Sequence, residues 1–208
     1  MKANNIYPCR LKSKLDARKM DQIDRKIISQ LLINGRTTFE DLSKKVGLTG
    51  VGVKKRVKKL VEQEVIKVSA LLNVEKMSMS AAMVLLEIEN AEAMRQITQR
   101  FKDCPRVVQI FSTLGGYNLI ALVVAEDRKT LESISMEKCS LRSAQGIRRS
   151  EFYPIGSIHY TPFLQVRQNL AHQGRITAPC NVDCRTCESL QRKTCVGCPT
   201  TRLYQGPL

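Results

Sequence analysis

Residues 21–67 read DQIDRKIISQLLINGRTTFEDLSKKVGLTGVGVKKRVKKLVEQEVIK, and this stretch decides the fold of the first third of the chain. Ile23, Ile27, Leu31 and Leu32 recur at helical spacing, and Asn34-Gly35 closes that run with residues tolerant of positive φ. Thr38 is placed to cap a second, short helix through Phe39, Leu42 and Val46, with Glu40 and Asp41 in its first turn. Gly47 ends that helix, and Thr49 caps a third, expected over 50–64. Val53, Val57, Leu60 and Val61 share one face of it, while Lys54, Lys55, Arg56, Lys58 and Lys59 occupy the others. Two helices, a tight turn and a basic following helix predict a helix-turn-helix, a motif that lays its last helix in the DNA major groove. The strand-like VIKVSALL that follows predicts a wing, which sets the first domain at residues 21–72.

Charge is distributed in the same way. The chain has 208 residues and a formal net charge of +15. Residues 1–70 carry 17 Lys/Arg against 7 Asp/Glu, whereas residues 71–160 carry 11 against 10. A basic front joined to a near-neutral middle implies a polyanion-binding module attached to a module with another task. Residues 1–20 read as a basic N-terminal arm. The longest apolar run is the seven residues 119–125, too short to span a membrane, and no apolar leader precedes the first helix, so a cytoplasmic location is expected. Tryptophan is absent and aromatics are few, which disfavours base stacking on single strands.

Beyond a linker at 73–80, the hydrophobic period changes. Residues 82–88 read as a buried strand, 91–102 as a helix stopped by Cys104-Pro105, and 106–113 and 117–125 as strands joined at Gly115-Gly116. A second helix over 127–139 and a strand within 147–160 complete a β-α-β-β-α-β order. The fold class is therefore α+β: a winged helix-turn-helix, a ferredoxin-like antiparallel sheet domain at 80–160 with helices on one face, and a cysteine-rich tail at 179–208. Pairing with a second copy is the economical cover for the other sheet face, and predicts a homodimer or higher homo-oligomer.

This combination resembles the Lrp/AsnC, or feast/famine, family of regulators, and in its tail the archaeal type. The resemblance is carried by Leu15-Asp16, residues 21–27, Asn34-Gly35-Arg36, residues 41–48 and residues 56–60, and more loosely by the Gly115-Gly116-Tyr117 turn. It implies dimers, often assembled further, that bind double-stranded promoter DNA. It also implies a small-molecule effector, commonly an amino acid, near Gly115, Gly116, Tyr117 and Asn118. The family commonly has Asp where this chain has Asn118, which removes a charge able to hold an ammonium group, and Pro where it has Gly50.

On the third helix Thr49, Gly50, Val51 and Gly52 are the candidates for base edges, and Lys54, Lys55, Lys58 and Lys59 for phosphates. Arg56 reaches a base or buttresses the fold. The tail carries Cys180-x3-Cys184-x2-Cys187-x7-Cys195-x2-Cys198, two CxxC pairs with Gly197 in the second. Reduced thiols at this spacing point to metal: a structural zinc first, an iron–sulfur centre as the alternative. Cys184, Cys187, Cys195 and Cys198 form the preferred set, with Cys180 as a spare, an alternate ligand or a redox-active thiol. His172, eight residues before Cys180, is a weaker candidate, and Cys104 and Cys139 read as small buried apolar residues.

The function expected is a DNA-binding transcriptional regulator with a metal-binding tail. An architectural DNA protein of low specificity is the second reading, because the residues at the start of the third helix are plain. An enzyme resembling the siroheme decarboxylases, which share the domain pair, is third. The basic helix argues against that reading, as do a total of two histidines and the lack of any nucleophile–base pair.

Overall fold

The computed structural model describes residues 20–208, which fall into two compact units divided between Ala70 and Leu71. Most of the basic arm, with Leu15-Asp16 and Cys9, lies outside the described residues.

The first unit holds α1 (Gln22–Ile33), α2 (Phe39–Val46) and α3 (Gly50–Glu62). Each start is fixed by a side chain that accepts an otherwise unpaired N–H of the first turn. Asp21 accepts from the amide of Asp24 at 2.8 Å, Thr38 from Asp41 at 3.1 Å, and Thr49 from Gly52 at 3.2 Å. Gly47 ends α2 at φ +72°, the left-handed conformation that glycine adopts without a Cβ clash. Ile27, Leu42, Val53 and Val57 form the buried centre, with Leu60 buried one turn further along α3. Leu32 and Val61, expected on the apolar faces, are instead 82% and 45% exposed, because each falls at the edge of its helical stripe. No wing forms. Residues 65–71 contain no strand, and the two-residue β1 (Leu72–Asn73) pairs antiparallel with β6 (Phe163–Leu164) in the second unit.

The second unit is built on β2 (Ser80–Ile88), α4 (Ala91–Arg100), β3 (Val107–Ser112), β4 (Leu119–Ala125), α5 (Arg128–Met136) and β5 (Ile147–Pro154). The strands pair antiparallel in the order β3-β4-β2-β5, the ferredoxin-like arrangement. Strand alternation sends Ala82, Val84, Leu86 and Ile88 of β2, with Leu119, Ala121 and Val123 of β4, toward Ile97 of α4, Phe101 at its C-terminal cap and Leu131 of α5. On the opposite face, Ala81 and Val124 pack with Val74, Leu164, Val166, Tyr204 and Leu208. Part of the face expected to meet a second copy is thus covered by the chain's own later residues. Phe111 and Tyr153 remain about half exposed.

Residues 155–208 are mostly irregular but are tied down. They include three-residue 3₁₀ turns and the short helix α6 (Glu188–Gln191). Arg167 donates to the carbonyls of Lys102 and Cys104, Ser133 of α5 donates to the carbonyl of Thr194 at 2.9 Å, and Ser189 donates to Glu137 at 2.5 Å. The cysteine-rich segment is therefore a layer of the sheet unit.

Candidate DNA-binding helix and thiol cavity

Helix α3 turns Val53, Val57 and Leu60 inward, and the 3.6-residue period then sends Lys54, Lys55, Lys58 and Lys59 to solvent. Of these, Lys58 pairs with Glu62 at 3.6 Å on the open surface, an interaction weak enough to yield to a phosphate. Val51 is 66% exposed at the helix start, available to an apolar base edge. Thr49 spends its hydroxyl on the cap, and a Cβ on Gly52 would meet that oxygen at 3.3 Å. Gly52 therefore serves the cap as well as any close approach.

Arg56 is a buttress. Its Nη1 donates to Asp21 at 2.7 Å and to Asp24 at 2.8 Å, joining the middle of α3 to the start of α1. The two carboxylates hold its guanidinium above the ordinary value, and the amide of Asp24, followed by Arg56, holds the Asp21 carboxyl below its own. Two acidic groups lie too far away in sequence for helix spacing to connect them to Arg56.

At the β3–β4 connection, Gly115 and Gly116 are exposed, and neither needs a positive φ. Asn118 works structurally. Its Oδ1 accepts from the amide of Ile88 at 2.8 Å and its Nδ2 donates to the carbonyl of Ile88 at 2.7 Å, a two-way bond that a carboxylate cannot make. Tyr117 donates to Glu151, as does Tyr153, and the Arg149 guanidinium lies 4.4 Å from the centre of the Tyr117 ring. Those phenol bonds hold the Glu151 carboxyl below the usual range. Glu151, Tyr153 and Arg149 were not singled out from sequence, because cross-strand register alone places them beside Tyr117.

The five tail cysteines converge. Cys180, Cys184, Cys187, Cys195 and Cys198 line one cavity, together with Cys104 and Cys139 of the sheet domain, which sequence reading assigned to the apolar core. Cys104 follows α4 and Cys139 follows α5, so no spacing in the chain links them to the tail. All seven are free of disulfides. Burial pushes the Cys104 and Cys139 thiols upward, and pushes Cys180 up to about 11. Cys184 and Cys195 are raised by burial as well. Nearby backbone amides act in the opposite direction on Cys104, Cys180, Cys184 and Cys195, but burial outweighs them. Gly197 has φ +86°, and a Cβ there would stand 2.9 Å from the Leu203 carbonyl, so the second CxxC turn requires glycine. Among the described residues no three ligand side chains are drawn together for a single ion. His172 lies apart from the cavity lining, hydrogen-bonded to the Leu208 carbonyl and edge-on to Tyr204.

The model of the AsnC-type helix-turn-helix domain matches residues 20–61, and that of the Lrp/AsnC ligand binding domain matches residues 81–158. An uncharacterized HTH-type transcriptional regulator of Pyrococcus furiosus is 31% identical over 121 residues, 57% of this chain and 82% of that protein. The chain belongs to the Lrp/AsnC family of transcriptional regulators. The Bkd operon transcriptional regulator of Pseudomonas aeruginosa is also 31% identical, over 52% of this chain and 74% of its own length. A Neisseria meningitidis transcriptional regulator in complex with L-Met shares the fold at TM-score 0.61 and 23% identity, covering 68% of this chain and 94% of that one. These relatives are regulators, not enzymes. All five tail cysteines lie outside both Lrp/AsnC domain matches, whereas Cys104 and Cys139 lie inside the second. Among the described residues no helix is long and apolar enough to cross a membrane.

Proposed function

We propose that this Lrp/AsnC regulator binds promoter DNA as a dimer or larger assembly and carries a metal centre in its cysteine-rich segment. The observation that carries the DNA reading is α3, whose buried apolar stripe leaves four lysines exposed beside an open N-terminal turn. The lysines neutralise backbone phosphates, and Val51 with the first turn meets base edges. Pairing through the half-exposed Phe111 and Tyr153 face presents α3 twice, which suits a two-fold operator. A small effector at the Tyr117 turn uses Glu151, not Asn118, as its anionic partner.

The tail thiols support a metal reading through their convergence and the glycine-dependent CxxC turn at Gly197. Zinc and an iron–sulfur centre both suit a thiolate set. Genomic footprinting with metal-loaded and metal-stripped protein tests both parts. Protected promoter sites that shift or vanish on stripping support the reading, and failure to bind duplex DNA in dilute buffer removes it. The plain surface of Gly50, Val51 and Gly52 favours a second reading as an architectural protein, which a ratio of specific to competitor binding near unity would establish.

A further inference from the structure

The thiol cavity is a composite of two parts of the chain, and its lining bears on the kind of metal centre. Its volume is ≈ 50 Å³. That is room for more than a single water-sized atom. One zinc is held by four thiolates at about 2.3 Å, whereas seven cysteines line this cavity. In a thiolate-bridged cluster the protein's own sulfurs occupy the bridging positions. An iron–sulfur cluster differs, because it brings its own sulfides, and its terminal thiolates bind different irons and stand apart around a core of several atoms.

The wall has the matching electrostatics. The Arg106 guanidinium lines the same cavity, fixed by Glu126 at 2.8 Å and by the Gly197 carbonyl at 2.6 Å. A nearby cation offsets the negative charge of a thiolate-ligated cluster.

We infer that this cavity seats an iron–sulfur cluster of more than one iron, walled by Cys104 and Cys139 of the sheet domain together with the tail thiols. The inference rests on the metal reading of the tail proposed above and narrows it. Each ligating thiol releases its proton as its sulfur bonds iron.

The test uses the full chain, held anaerobically with both ferrous and ferric iron and with sulfide, so that no outside oxidant is needed. Iron and acid-labile sulfide are counted after desalting, and the visible absorbance is recorded. The expected result is more than one iron per chain, with matching sulfide and a broad visible band. The double variant C104A/C139A keeps small apolar side chains at both sites and is expected to lose at least about half of the iron. One zinc or iron per chain without sulfide overturns the cluster while leaving the metal reading intact, whereas no metal of any kind removes both. A full cluster retained in the folded double variant overturns the shared wall. Should that variant not fold, the wild-type iron and sulfide count still decides for or against the cluster.

Discussion

Arg106 Nη2 donates a 2.6 Å hydrogen bond to the carbonyl oxygen of Gly197, ninety-one positions further along the chain. The same guanidinium holds Glu126 through two bonds of 2.8 and 3.0 Å, and the side chains of this pair are 7% and 1% exposed. One buried cation thus joins the start of β3 to the end of β4 and to the second CxxC turn. Removing Glu126 leaves that cation uncompensated in a low-dielectric site. Glu126→Ala should cost about 3–5 kcal/mol in urea unfolding, and limited proteolysis should then cut the cysteine-rich segment first.

The lysines and the arginine of α3 should separate cleanly in a salt titration. Each of Lys54→Ala, Lys55→Ala and Lys59→Ala that removes a phosphate contact lowers the slope of log affinity against log salt by about 0.9. Arg56→Ala should leave the slope unchanged, because its guanidinium is bonded to Asp21 and Asp24. It should instead lower the melting temperature of the helical unit. A slope loss for Arg56→Ala equal to that of a lysine variant would place Arg56 on DNA.

Asp21 gives that unit an acid-sensitive contribution. Its carboxyl is held below the ordinary value of 3.8 by the Asp24 amide and then by Arg56. A depressed carboxylate stabilises the fold above its unfolded pKa, and the contribution disappears as pH falls through the folded value. Asp21→Asn keeps the capping oxygen and removes the charge. The melting-temperature difference between wild type and Asp21→Asn should be constant above about pH 5 and collapse on acidification below about pH 3. A difference that persists in acid would show that charge is not its source.

Asn118→Asp should harm this protein. The carboxylate still accepts from the Ile88 amide but cannot donate to the Ile88 carbonyl. An unpaired, partly buried carbonyl costs about 1–3 kcal/mol. The loss should appear as a lower urea midpoint with unchanged m-value, and a neutral outcome would mean that water replaces the lost donor.

Gly197→Ala tests the turn that places Cys195 and Cys198. Alanine at φ +86° with its Cβ 2.9 Å from the Leu203 carbonyl carries about 1–3 kcal/mol of strain. Metal content expected from the proposed centre should fall, while the sheet unit keeps its circular-dichroism signature. Full metal retention would show that the turn relaxes around the added carbon.

The helix starts were legible in the sequence because capping is local: Asp21, Thr38 and Thr49 each bond an amide three residues on. The sheet domain was legible because strand alternation and helical spacing are also local, and the Lrp/AsnC resemblance rested on the same short-range pattern. The expected wing failed for the complementary reason. Residues 65–72 have strand-like composition, yet a strand needs a partner, and Leu72 finds its partner at Leu164. Arg56 was open between two roles because nothing local connects it to acids 35 and 32 residues away.

What this sequence determined by itself was every feature whose energy comes from neighbours within a turn or two: the caps, the helix periods, the strand alternation, the basic face of α3 and the paired cysteine spacing. Tertiary structure alone decided which charges neutralise one another and which thiols share a space. Cys104 and Cys139 became part of the tail's cavity, and Arg106 its charged wall, because packing brings together groups that the chain separates by scores of residues. Burial then makes those long-range encounters strong, since a charge or thiol removed from water must find its partner inside the protein.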